Sequence, residues 1–174
     1  MSATGVRLPV GRVVALLGST RARAAVVAQL VDASTRCADG HAHGGLVRVT
    51  GPLRGAGLLA DVLADGAGVG RGEAALRTAV GFPSLAAHLE APVDALGAEE
   101  RAVAALALAA LRDPVAVVVD RLPGARRALP ALAAGGAAVL VDDADPVAVL
   151  AVADAALRVG DDGTVVLEDL ALAA

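Results

Sequence analysis

Two apolar runs, Val115-Ala116-Val117-Val118-Val119 and Ala137-Ala138-Val139-Leu140-Val141, constrain this chain more than any other feature. Neither alternates with polar residues, so a strand made from either has no face to offer water and has to be covered on both sides. Each run ends in an aspartate, Asp120 and Asp142, and the carboxyl edge of a parallel sheet is where α/β proteins hold ligands. A further run, Arg12 to Leu17, closes on Gly18, and alanine, valine and leucine recur at helical spacing from Arg23 to Asp32. That segment reads as strand, loop, helix. Strands alternating with helices predict an α/β layered domain with a mostly parallel sheet.

The remaining segments fill in this plan. Leu46-Val47-Arg48-Val49-Thr50 alternates with period two, which predicts a half-buried, antiparallel strand. Six glycines between Gly55 and Gly72 predict a short helix around Leu58 to Leu63 followed by a mobile loop. Glu99 to Leu111 is apolar on every side after its first turn, so that helix has to be buried; Arg112-Asp113-Pro114 ends it. Asp145 as N-cap and Pro146 at the first helical position open a helix expected over Val147 to Leu157. Arg158 to Glu168, turning at Gly160-Asp161-Asp162-Gly163, predicts a hairpin.

The chain has 174 residues, 56% of them apolar, enough for one domain with its own core. It contains 15 arginines and no lysine, which excludes Schiff-base chemistry, a lysine base and the phosphate-gripping lysine of a P-loop. A net charge of −4, scattered arginines and one aromatic residue, Phe82, argue against nucleic acid as a partner. The longest apolar run, Ala102 to Leu111, is shorter than the roughly 18 residues of a membrane span. The first residues, Met1 to Gly5, lack a signal-peptide pattern, and a cytoplasmic location is expected. Cys37, the sole cysteine, permits no intrachain disulfide.

One stretch carries a family resemblance. Leu96-Gly97-Ala98-Glu99-Glu100-Arg101 opens the apolar helix, which runs through Arg112-Asp113-Pro114 into Val117-Val118-Val119-Asp120 without a gap. The order and spacing resemble the nucleotide-binding domain of ATP-binding cassette (ABC) ATPases, whose LSGGE-R signature, R-D-P turn and Walker B aspartate follow one another in this way. Gly11 to Gly18 is similar to the strand entering that family's Walker A loop, and Ala153-Asp154 to the end of the same fold. The resemblance implies a P-loop NTPase-like fold over residues 1–174, with 51–95 as a shortened helical subdomain. It further implies ATP and magnesium as cofactors, and a membrane permease subunit and a second ATPase domain as partners, in a homo- or heterodimer at the inner face of the cell membrane.

The family's motifs are eroded here. A Walker A loop needs glycine, four residues, glycine, lysine, then serine or threonine, because bare N–H groups wrap the phosphates, lysine meets their charge and the hydroxyl holds magnesium. In Gly18-Ser19-Thr20-Arg21-Ala22-Arg23-Ala24-Ala25 only the first glycine survives; Arg23, Ala24 and Ala25 occupy the other three places. The resemblance puts the nucleotide contacts at Gly18, Ser19, Thr20, Arg21, Arg23, Ala24, Ala25 and Asp120. Arg21 and Arg23 offer positive charge beside a helix N-terminus, or else are solvated or cover a loop. Arg121 stands where the catalytic glutamate belongs, and a cation cannot serve as that base. The switch histidine falls at Ala144, the glutamine loop at Asp61, and Glu99 would turn a carboxylate toward a partner's γ-phosphate.

This implies a degenerate ABC subunit with weak or no ATP hydrolysis, acting as a non-catalytic or regulatory partner of a permease. Two alternatives stay open: a slow ATPase using an arginine-substituted loop, and an interaction module that has lost the nucleotide. Cys37, Asp39, His41 and His43 alternate in a polar stretch that suits zinc or nickel if extended, though histidines are common in such loops. Asp142, Asp143 and Asp145 are a candidate magnesium cluster beside Asp120, against the plainer reading of a helix cap and solvated carboxylates. Ser84 has no Gly-x-Ser-x-Gly elbow to stand on.

Overall fold

The computed structural model describes residues 7–37 and 45–170, with side chains through residue 31 in the first stretch. The strands are β1 (Val13–Gly18), β2 (Leu46–Val49), β3 (Ala116–Asp120), β4 (Ala138–Asp142), β5 (Ala155–Val159) and β6 (Val165–Asp169). They form one sheet in the order β2-β3-β4-β1-β5-β6, parallel except for β6, which runs antiparallel to β5. The helices are α1 (Thr20–Cys37), α2 (Leu59–Ala67), α3 (Arg71–Gly81), α4 (Ala98–Leu111), α5 (Leu129–Ala134) and α6 (Pro146–Leu150), joined in part by short 3-10 turns.

The sheet is covered on both faces, as its continuous apolar strands require. Val117, Val119, Val139 and Val141 face a large core built with α2 to α6, while Val118 and Leu140 face a smaller one under Val26 and Val27 of α1. The period of two along each strand deals alternate side chains to the two cores. Within the large core lies α4, buried from Ala102 to Ala107 and again at Ala109 and Leu111. Small residues allow its neighbours to approach: a Cβ added at Gly66 of α2 would come within 2.9 Å of Leu108 Cδ1.

Three sequence expectations give way. β2 is parallel to β3, pairing from Leu46↔Ala116 to Val49↔Val119, because the chain returns through a helical crossover rather than a hairpin. Its alternation reflects its place at the sheet edge, not its direction. The glycine-rich middle is helical, not a mobile loop: Gly68 at φ 71° closes α2 with its N–H on Ala64 O, and α3 begins at Arg71. The helix expected from Val147 to Leu157 stops at Leu150. Asp154 then pairs with Val13, donating its N–H to Val13 O and accepting Val13 N–H through Oδ2, both at 2.8 Å, and this turns Ala155, Ala156 and Leu157 into buried strand β5. The hairpin β5–β6 forms as expected, its turn closed by Gly160 N–H to Thr164 O at 2.8 Å.

No helix among the described residues is long and apolar enough to cross a membrane. Leu106, fully buried at the centre of α4, tests the packing. Leu106→Ala is expected to destabilise the fold by about 3 kcal/mol, read from the urea midpoint at unchanged slope.

Candidate functional site

The carboxyl ends of the parallel strands converge beside the start of α1. One residue, Ser19, separates β1 from α1, so the helix starts at Thr20, three residues before the position expected from the sequence. Ser19 caps it: its Oγ accepts the Ala22 N–H at 3.3 Å, and its carbonyl accepts the Arg23 N–H at 3.0 Å. The hydroxyl also donates to Asp161 Oδ1 at 2.5 Å. The Ala22 and Arg23 N–H groups, which an open glycine loop would present to an anion, are used inside the helix. Gly18 has its own structural reason, since at φ 135° any Cβ would lie 2.4 Å from Val159 O of β5.

Arg23 is not solvated. Its Nη1 lies 2.9 Å from Asp142 Oδ1 and donates to Asp143 O at 2.8 Å, with both side chains 12% exposed. The pair meets at ion-pair distance without hydrogen-bond alignment, so Asp142 Oδ1 is buried without a hydrogen-bond partner, as is Arg23 Nε. Burial pushes the Asp142 carboxyl above its ordinary value; Arg23 opposes that shift and the neighbouring Asp120 adds to it. Asp120 and Asp142 are register partners on β3 and β4 and so face the same side of the sheet.

Asp120 is held by cations of this chain. Arg48, whose register partner is Val118, shares that face and places Nη2 2.6 Å from Asp120 Oδ2. Arg121 Nε is 3.8 Å from the other carboxylate oxygen. The Arg121 backbone is left-handed at φ 51° and is fixed by its N–H on Asp142 O at 2.8 Å. Thr20, Ala24, Arg48, Thr50, Asp120, Arg121 and Asp142 line a cleft of about 480 Å³.

The rest of the acidic cluster is engaged in structure, Asp143 buried and Asp145 at the surface. Arg126 grips Asp143 with Nε on Oδ2 at 3.1 Å and Nη2 on Oδ1 at 2.9 Å, and Asp143 also accepts the Asp145 N–H at 3.0 Å. Asp143 is 5% exposed; burial alone would raise its carboxyl, but the Arg126 and backbone hydrogen bonds outweigh burial and hold it below the ordinary range. Asp145 caps α6 through Ala148 N–H at 3.1 Å, as expected. Among the described residues no group of three His, Cys, Asp or Glu side chains is placed to share a metal. Asp39, His41, His43 and the Cys37 side chain lie outside the described residues.

No protein-family model matches the chain, and no curated protein sequence matches it. Solved structures do. An ATP-binding subunit of an ABC transporter superposes over 94% of this chain and 80% of its own, with TM-score 0.66 and 16% identity. CbiO1 from Clostridium perfringens, part of the ABC transporter complex cbiONQ, superposes over 94% and 79%, with TM-score 0.71 and 12% identity. The chain has the fold of an ABC transporter ATP-binding subunit.

On this ABC-ATPase fold the other sequence-derived positions can be placed. Leu96 is buried, Gly97 is the N-cap of α4, and Ala98, Glu99 and Glu100 form its first turn, where carboxylates suit the helix dipole. A Cβ at Gly97 would lie 2.2 Å from Glu100 Oε2, so that carboxylate is folded back over the helix start, while Glu99 is exposed. Ala144 follows β4 in the turn before α6. Asp61 is in the first turn of α2, 2.7 Å from Arg71 Nε, and is not among the cleft residues; from that side the cleft is lined by Arg48 and Thr50 of β2 and its exit. Arg21 and Ala25 line a groove on the other side of α1 toward β5 and β6, and Ser84 lies in the 3-10 turn Pro83–His88.

Sequence reasoning missed Arg48 and Arg126. The alternation of β2 placed Arg48 on one face with its register neighbour, but nothing local signalled the Asp120 it meets 72 residues away. Asp143, with its carboxyl held low, contributes stability that is present above the ordinary carboxylate pKa and is lost as pH falls toward its native one. Asp143→Asn is expected to cost about 3 kcal/mol at neutral pH, with the difference from wild type closing on acidification, read from urea midpoints across pH.

Proposed function

We propose that this chain is a non-hydrolysing ABC-type subunit, a regulatory or structural partner of a membrane permease and of a competent ATPase domain. The observation that carries the reading is the junction of β1 and α1: Arg23 stands at the second glycine of the phosphate loop, and its guanidinium is buried against Asp142 and the Asp143 carbonyl. The residues present do not fit a magnesium nucleotide. The Ala22 and Arg23 amides are used within α1, the carboxylate that would face the metal already meets Arg48, and Arg121 replaces the group that would orient the attacking water. Losing metal, lysine and base together removes most of the electrostatic stabilisation on which phosphoryl transfer depends.

On this reading the whole chain acts as one nucleotide-binding-type domain, with 51–95 as its reduced helical subdomain, located in the cytoplasm at the inner face of the membrane. CbiO1, a neighbour of the same fold, is part of a multi-component transporter complex. The exposed Glu99 at the start of α4 repels the γ-phosphate of an opposing ATPase, which suits a subunit paired for regulation rather than for turnover.

Purified protein is expected to release phosphate from Mg-ATP only at background rate, unchanged by Asp120→Asn, and its unfolding midpoint is expected to be unmoved by millimolar Mg-ATP. Magnesium-dependent release abolished by Asp120→Asn would instead establish a slow ATPase. Expression with a permease from the same genome should bring the chain into the membrane fraction; recovery in the soluble fraction alone would favour an interaction module without a membrane partner.

A further inference from the structure

Arginine is the only strong cation this chain has, and seven of its arginines lie within 3.5 Å of a carboxylate oxygen: Arg12, Arg23, Arg48, Arg71, Arg77, Arg126 and Arg158. Arg54 and Arg101 differ. Among the described residues neither has an ion-pair partner, yet both line one cavity of about 320 Å³ with Pro52, Leu53, Val93 and Asp94. Arg101 Nε is buried with no hydrogen-bond partner, a state that costs free energy until an acceptor arrives.

The walls of this cavity are fixed. Leu53 N–H donates to Arg101 O at 2.9 Å, which ties the chain after β2 to the first turn of α4. Val93 N–H on Gly57 O at 3.0 Å and Leu59 N–H on Ala91 O at 2.9 Å close the opposite side. The two guanidiniums are therefore presented by backbone that is already hydrogen-bonded. None of the residues lining this cavity lines the cleft at the start of α1.

We propose that this cavity is a binding site for a small oxyanion, a carboxylate or a phosphate, held between Arg54 and Arg101. Guanidinium forks match the oxygen spacing of both groups. Asp94, which lines the same cavity, disfavours polyanions and selects a compact ligand of low charge, while Leu53 and Val93 accommodate a short apolar body. The site does not depend on the nucleotide reading, since the cleft and the cavity share no residue.

The test is titration of the whole chain with acetate, lactate and inorganic phosphate at matched ionic strength, followed by calorimetry and by the unfolding midpoint. At least one probe is expected to bind saturably, and the probe that does so separates carboxylate from phosphate. Arg54→Gln, an exposed position that leaves the fold intact, and Arg101→Gln are each expected to weaken that binding about tenfold, the loss of one charge-assisted contact. Asp94→Asn is expected to tighten it. Absence of saturable binding by all three probes, or equal affinity in wild type and Arg54→Gln, would overturn the proposal.

Discussion

The contact between Arg23 and Asp142 joins the first helix to the carboxyl edge of the sheet, and the arrangement of the cleft depends on it. A guanidinium and a carboxylate, each about nine-tenths buried, each offset part of the other's cost of burial. Removing either would leave an unpaired charge in the interior. With Arg23 anchored on β4, α1 has to begin close to the end of β1, and Ser19 alone spans the gap. The Ala22 and Arg23 amides are thereby bonded within the first helical turn. The same cation lowers the cost of placing Asp142 beside Asp120, and Arg48 and Arg121 complete the balance around the second carboxylate.

The fold itself draws on other residues. Its stability rests on a sheet buried on both faces and on an alanine-rich helix, α4, whose small side chains let β2, α2 and the 3-10 turn 123–128 pack closely around it. No residue of α4 lines the cleft. This separation explains how a chain only 12–16% identical to ABC transporter ATP-binding subunits keeps their architecture over nine-tenths of its length. Packing tolerates exchange among valine, leucine and alanine, whereas phosphoryl transfer depends on individual groups at individual atoms.

The sequence was most informative where burial is continuous. The runs ending at Asp120 and Asp142 could only be two-sided strands, and the helix over Glu99 to Leu111 could only be internal. It misled where local preference competes with tertiary pairing: Ala155 to Leu157 reads as helix, yet the Asp154–Val13 hydrogen bonds place it beside β1. The direction of β2 was illegible, because alternation reports exposure and not polarity. At the carboxyl edge of the sheet, the motif spacing singled out Gly18, Arg23 and Asp120, but the partners of the arginines were hidden. Arg23 meets a residue 119 positions away, and Arg48 one 72 positions away, which no local pattern encodes.

Amide hydrogen exchange at the start of α1 tests the central claim most directly, because it reports whether residues 19–23 form a helical turn or an open loop. The account predicts that the Ala22 and Arg23 amides, bonded to Ser19, are protected in the free protein and that Mg-ATP leaves their exchange unchanged. Fast exchange at these amides that becomes protected on adding Mg-ATP would show an open phosphate loop and contradict it.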